Sequence, residues 1–230
     1  CEGVHPANWR RFWDYGGGTV GDMACHWVDL VHWALRLGTP STVEVEGSAP
    51  AEVGTPTWMH ARWGHPAIEG RGPVEVHWWV GGKKPEFAPL GDCHVFLGTR
   101  GRIVSTYGSM DVQLTDKEAE WEAPEPTLIK SPGHYVEWLN AIKGDEAPAP
   151  LCEFGYASRL TETVLLANVA FRAGGKLTWD DEKGEASAGP EFISAPERAG
   201  WDVGRARRAA RIRVALPRPS CTAPLAARAV

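Results

Sequence analysis

The sequence predicts an α+β domain, an open and mainly antiparallel sheet with helices on one of its faces. Three observations carry this. Helix-period apolar patterns occupy residues 19–37, 134–143 and 154–173, on both sides of a run of short β-type segments. The segments between them alternate apolar and polar residues or are rich in Val and Trp. They are joined by short turns, whereas parallel neighbours need crossovers of a dozen or more residues. Helices at both ends of a run of strands then pack on one sheet face, leaving the other solvated or covered by a partner subunit.

In chain order, residues 1–15 hold Pro6, Trp9 and Trp13 without periodicity and read as a loop. A helix follows from Thr19 to Leu37 and stops at Gly38 with Pro40 beyond. Thr42–Glu46 alternates as a half-buried strand, and Trp58–Trp63 and Val74–Val80 are further strands, the latter ended by Gly81-Gly82. Cys93–Gly98 and Arg102–Tyr107 flank Thr99-Arg100-Gly101, a hairpin whose glycine sits where a positive φ is needed. Asp111–Thr115 adds a strand. Residues 117–132 are charged, proline-bearing loop. His134–Lys143 and Phe154–Ala173 are helices, the second carrying Leu160, Val164, Ala167 and Phe171 on one face, and Lys176–Trp179 is a short final strand.

The first helix carries the chemistry. Asp22, His26 and Asp29 recur at i, i+4 and i+7 and so share one face. Met23, Trp27, Leu30, Ala34 and Leu37 form an adjacent apolar stripe expected to grip the core. Gly16-Gly17-Gly18 precede it, giving a sharp turn and space for a ligand to approach. From spacing alone three roles stay open. Asp22 and His26 are structural, the carboxylate favoured near a helix N-terminus. With Asp29, and His94 or His134 from elsewhere, they ligate a metal. Or His26 is a general acid/base with Asp22 orienting the substrate, since imidazole titrates near neutral pH.

Composition narrows the class. The 230 residues suffice for one large domain with appendages, and 43% hydrophobic and 23% charged residues describe an ordinary globular protein. Twelve tryptophans fit core and interface positions, or ring stacking on a sugar. All 29 acidic residues lie at or before Asp202, so residues 1–203 carry a net charge of −12 and the remainder +7, which argues against nucleic acid as the main partner. Cys1, Cys25, Cys93, Cys152 and Cys221 show no metal-ligand spacing and are expected as reduced thiols. No apolar run approaches a membrane span. The chain opens on Cys1 without a signal-peptide pattern, and its N-terminal part is expected to be missing. From about Gly204 the composition turns to Ala, Arg and Pro, expected as a basic, disordered tail over residues 204–230.

The run Asn8-Trp9-Arg10 through Trp13-Asp14-Tyr15-Gly16-Gly17-Gly18 to Asp22-Met23-Ala24-Cys25-His26, Asp29 and Trp33-Ala34-Leu35 resembles the Gfo/Idh/MocA family of NAD(P)-dependent oxidoreductases, in its bacterial branch with a variant C-terminal domain. Gly98-Thr99-Arg100-Gly101, the helix His134–Gly144, Asn168-Val169-Ala170-Phe171-Arg172, Leu177-Thr178-Trp179-Asp180 and Arg198-Ala199-Gly200-Trp201 extend the likeness over residues 1–203. The resemblance implies the C-terminal, substrate-binding and oligomerisation domain of such an enzyme. Its open sheet would pack on another subunit in a homo-oligomer. His26 would take or return the proton of a sugar or polyol hydroxyl, Asp22 would meet the substrate, and Arg10, Trp13, Tyr15 and Asp29 would line its site.

One departure is large. The family's cofactor domain brings a G-x-G-x-x-G loop after its first strand and a lysine in an E-K-P motif. This sequence has no G-x-G-x-x-G, and Lys84-Pro85 follows Lys83 rather than Glu. NAD or NADP is therefore expected in the full-length protein and not on this chain alone, which would be inactive by itself. Two other outcomes stay open: an NAD-dependent glycosidase relative, and a binding or assembly module without catalysis. No resident metal, no nucleic acid, no membrane and a cytoplasmic location are expected.

Overall fold

A computed structural model describes residues 8–49, 54–82, 84–88, 91–144 and 150–187. The tail over 204–230 and the Arg198–Trp201 motif lie outside the described residues. The chain divides into two compact units, residues 1–83 with 161–230, and residues 84–160.

The first unit begins with a 3₁₀ turn, Trp9–Arg11, where the sequence read a plain loop, and enters helix α1, Gly18–Ala34. The helix ends short of Leu37. Arg36, at φ 48°, takes the left-handed position expected of Gly38. Leu37 N–H then bonds the His32 carbonyl at 2.8 Å and Arg36 N–H the Trp33 carbonyl at 3.2 Å, a Schellman closure. Strands β1 (Thr42–Gly47), β2 (Met59–His65), β3 (Val74–Val80), β7 (Lys176–Asp180) and β8 (Glu185–Ser187) make one sheet in the order β3-β2-β1-β7-β8. Every pairing in it is antiparallel, with Val43 opposite Trp63 and Leu177, and Trp63 opposite Val76.

The period of two decides which residues meet the helices. Val43, Val45, Met59, Ala61, Trp63, Val76, Leu177 and Trp179 are buried on one face. On that face His65 of β2 meets His32 of α1, with ring centroids 5.9 Å apart. Helix α3, Phe154–Arg172, brings Phe171 against Gly47 and buries Val164, Leu166, Ala167 and Ala170. The opposite face is polar. Arg62 pairs with Glu44 across β1 and β2. His60 and His77 share a hydrogen bond of 2.9 Å, and His77 bonds Glu75 at 2.6 Å. Trp79 stacks on both imidazoles at 4.7 and 5.1 Å.

The buried side of α1 differs from the expected stripe. Val20, Ala24, Val28 and His32 are buried, while Met23, Trp33 and Ala34 are exposed and Trp27 and Leu30 half-buried. That side meets the sheet: Val20 lies beside Met59 of β2 and Val80 of β3, and His32 meets His65 of β2. At Gly21 even a methyl would make only ordinary contact with Leu165 and Asn168 of α3, at 3.7 and 3.6 Å. Bulky Met23 and Trp27 are left at the rim.

The second unit holds a separate three-stranded antiparallel sheet, β4 (His94–Gly98), β5 (Gly101–Ser105) and β6 (Met110–Leu114), and helix α2, His134–Lys143. The α+β class with antiparallel open sheets is thus what the structure shows, with the strands parted between two sheets. The expected hairpin is there, with Gly101 at φ +153°. No described helix is long and apolar enough to cross a membrane.

Candidate functional site on helix α1

The helix places Asp22, His26 and Asp29 along one side, as their spacing requires. Asp22 is half-buried; His26 and Asp29 are exposed. The 3₁₀ turn delivers Arg10 to Asp22, with Nε 3.2 Å from Oδ2. That turn is held firmly. Thr55 N–H bonds the Arg11 carbonyl at 2.8 Å, and Tyr15 and Gly16 N–H bond the Phe12 carbonyl at 3.0 and 2.9 Å. The Arg10 and Asp22 side chains are 41% and 30% exposed, so solvent screens the pair. We expect Arg10→Ala to cost less than about 1 kcal/mol in urea denaturation.

Three of the expected site residues thus lie along the helix, and Arg10 joins them. Tyr15 stands at the loop, 51% exposed. Trp13 is packed into the fold, its ring 6.5 Å from that of Phe171 and the Arg172 guanidinium 4.8 Å above it. Burial lowers the pKa of that guanidinium, and the Asp14 carboxylate opposes the shift. Asp29 reaches its neighbours through its field, raising the pKa of His32 against its burial and adding to the burial that raises the Cys25 thiol.

The three glycines serve packing, not an open approach for a ligand. A Cβ on Gly16 would lie 2.7 Å from the Arg10 Cα, one on Gly17 2.8 Å from the Asn168 amide nitrogen, and one on Gly18 2.8 Å from Thr55 Cβ and Oγ1. Gly18 also has φ +67°, a conformation that disfavours any side chain. A shallow hollow of about 10 Å³ lies at the start of α1, lined by Gly17, Gly18, Thr55, Met59, Val80 and Asn168. Ligand pockets run to about 300–1,000 Å³, and neither Asp22 nor His26 lines this one. Among the described residues no group of three or more His, Cys, Asp or Glu is placed to hold a metal.

Sequence reasoning missed Asn168 and Phe171 as supports of this region, because both arrive from α3, some 150 positions along the chain. Their sequence signals, the period of α3 and the motif Asn168–Arg172, do not say which loop they meet.

Residues 2–104, which hold the 3₁₀ turn, α1 and the strands that back it, match the family profile of the GFO/IDH/MocA C-terminal domain. Over those residues the chain is similar to that domain. A solved structure from Thermotoga maritima, provisionally described as an oxidoreductase, shares the fold with a TM-score of 0.50 at 19% identity. The match covers 76% of this chain and 50% of that one, so this chain spans about half the length of that relative. No curated protein matches the sequence.

Gfo/Idh/MocA enzymes bind NAD(P) on a glycine loop between a parallel strand and a helix N-terminus. The described residues do not fit that group. All their strand pairings are antiparallel, and Gly16–Gly18 follows a 3₁₀ turn, not a strand.

Proposed function

We propose that this chain is the substrate-binding half of an oxidoreductase that acts on a hydroxyl of a sugar or polyol, with NAD(P) held by a unit outside it. The carrying observation is the face of α1 on which Arg10-paired Asp22 lies one turn from exposed His26. In this reading Asp22 accepts a hydrogen bond from a substrate hydroxyl and fixes its position, with Arg10 orienting the carboxylate. His26 takes the proton of the reacting hydroxyl or returns it, the role suited to an imidazole at neutral pH. Trp13 serves the site by holding the loop that carries Arg10 and Tyr15 against α3.

Turnover tests this in a protein that joins the chain to a dinucleotide-binding domain. His26→Ala should lower kcat by about 10²–10⁴-fold, the usual contribution of general acid–base catalysis. Unchanged turnover would remove His26 from the mechanism. We place homo-oligomer contact on the outer face of the five-stranded sheet, where Trp79 and His60 are already half-buried. Light scattering after size exclusion checks this, and a clean monomer speaks against it.

A further inference from the structure

Asn168 lies on α3 and is 8% exposed. Its Nδ2–H donates to the Gly17 carbonyl at 2.8 Å, joining residues 151 positions apart. The same carbonyl accepts Gly21 N–H at 3.2 Å, the bond that opens α1. Gly17, the residue before the helix, has no side chain with which to cap it. The other amide atom, Oδ1, is buried with no hydrogen-bond partner among the described residues. A buried polar atom left unpaired costs about 1–3 kcal/mol. A leucine branches at the same atom and would avoid that cost, but a methyl in place of Nδ2 would crowd the Gly17 oxygen at a distance that suits only a donor. Half of the amide is thus unpaired, while its donor bears on the carbonyl where the helix begins.

We propose that Asn168 is a positioning residue for α1, fixing where the helix starts and hence the height and rotation at which Asp22 and His26 are presented. The proposal deepens the dehydrogenase reading and rests on it for the use of those two side chains. A helix advances 100° and 1.5 Å per residue, so α1 sliding by one residue in its seat would turn His26 off its face. The donor at position 168 therefore acts on the chemistry through Gly17 without touching substrate.

The test uses the isotope-labelled chain alone and needs neither ligand nor cofactor. In Asn168→Leu the chain should stay folded, with a modest change in thermal midpoint, as relief of the unpaired Oδ1 and crowding at the Gly17 carbonyl oppose each other. The amide resonances of Gly17–Gly21 and the His26 imidazole resonances should shift, and Gly21 N–H should lose about 2- to 10-fold in exchange protection, the worth of one hydrogen bond. Asn168→Asp supplies a second arm. While ionised, the introduced carboxylate repels the Gly17 carbonyl and should reproduce the leucine spectrum. Once protonated it donates O–H to that carbonyl, and the spectrum should return toward wild type as pH falls. Wild-type resonances from Gly17 to His26 in the leucine variant would overturn the proposal. So would an aspartate variant without that pH-dependent return, or loss of the fold in both variants, which would make position 168 a general packing site. A failed turnover assay leaves these shifts to be seen, and absent shifts leave the turnover assay standing, so the two failures are distinguishable.

Discussion

Between pH 7 and pH 4 the chain is expected to lose about 3 kcal/mol of folding stability through His65. His65 and His32 are each 2% exposed, with their rings edge to face at 5.9 Å. Burial, then the neighbouring His32 and the Arg71 guanidinium, push the pKa of His65 down to about 4, against a favourable contact with the Gly38 backbone. His32 is lowered as well, chiefly by burial, with Asp29 and the Gly38 backbone opposing. Thr163 of α3 faces it without charge, its hydroxyl 3.5 Å from Nε2. The sign follows from linkage. Above the ordinary histidine pKa of about 6.5 both folded and unfolded states hold a neutral ring, and the pair costs nothing. Below it the unfolded chain takes up a proton that the folded core refuses, so stability falls steadily until about pH 4, where folded His65 titrates. His32 adds to the loss in the same direction. Urea denaturation at pH 7 and pH 4.5 measures it, and His65→Phe should flatten the profile. A profile that is flat in the wild type would contradict the buried neutral pair.

The second large effect is expected at Gly18. An alanine there would hold a left-handed backbone, at about 1–2 kcal/mol. It would also thrust a methyl to 2.8 Å from Thr55, at about 1–3 kcal/mol for overpacking. We expect Gly18→Ala to lose about 2–5 kcal/mol in denaturant unfolding. Thr55→Gly in the same chain should recover the steric share and leave the backbone share, a non-additive pair because the residues touch. A loss under about 0.5 kcal/mol would show that the start of α1 tolerates a shifted path. The same substitution should disturb Arg10 and Asp22, since Thr55 also anchors the Arg11 carbonyl.

The alternation of Thr42–Glu46 carried strand type and burial side into the structure, because a period of two leaves no freedom once one face is buried, and Val74–Val80 carried strand type. The phase of Asp22, His26 and Asp29 was equally legible, being a property of any helix. What failed was the assignment of the buried stripe on α1. Hydrophobicity favoured Met23, Trp27 and Leu30, whereas Val20, Ala24 and Val28 are the residues buried. Which side is buried depends on where strands elsewhere in the chain meet the helix. The role of Gly16–Gly18 was hidden for the same reason: three glycines announce a close approach, and only the fold shows that Arg10, Asn168 and Thr55 fill it. Neither β8 nor the parting of the strands into two sheets has a local signature, since pairing partners are set by the whole chain.

The most direct measurement on the central claim is a nuclear magnetic resonance titration of the labelled chain with D-glucose, myo-inositol and xylitol. A substrate-binding half predicts that at least one of them gives saturable shifts centred on Asp22 and His26, extending to Arg10 and Tyr15, and that Asp22→Asn weakens them while leaving the fold intact. Shifts that fail to saturate with every member, or that centre elsewhere and ignore Asp22→Asn, would contradict it.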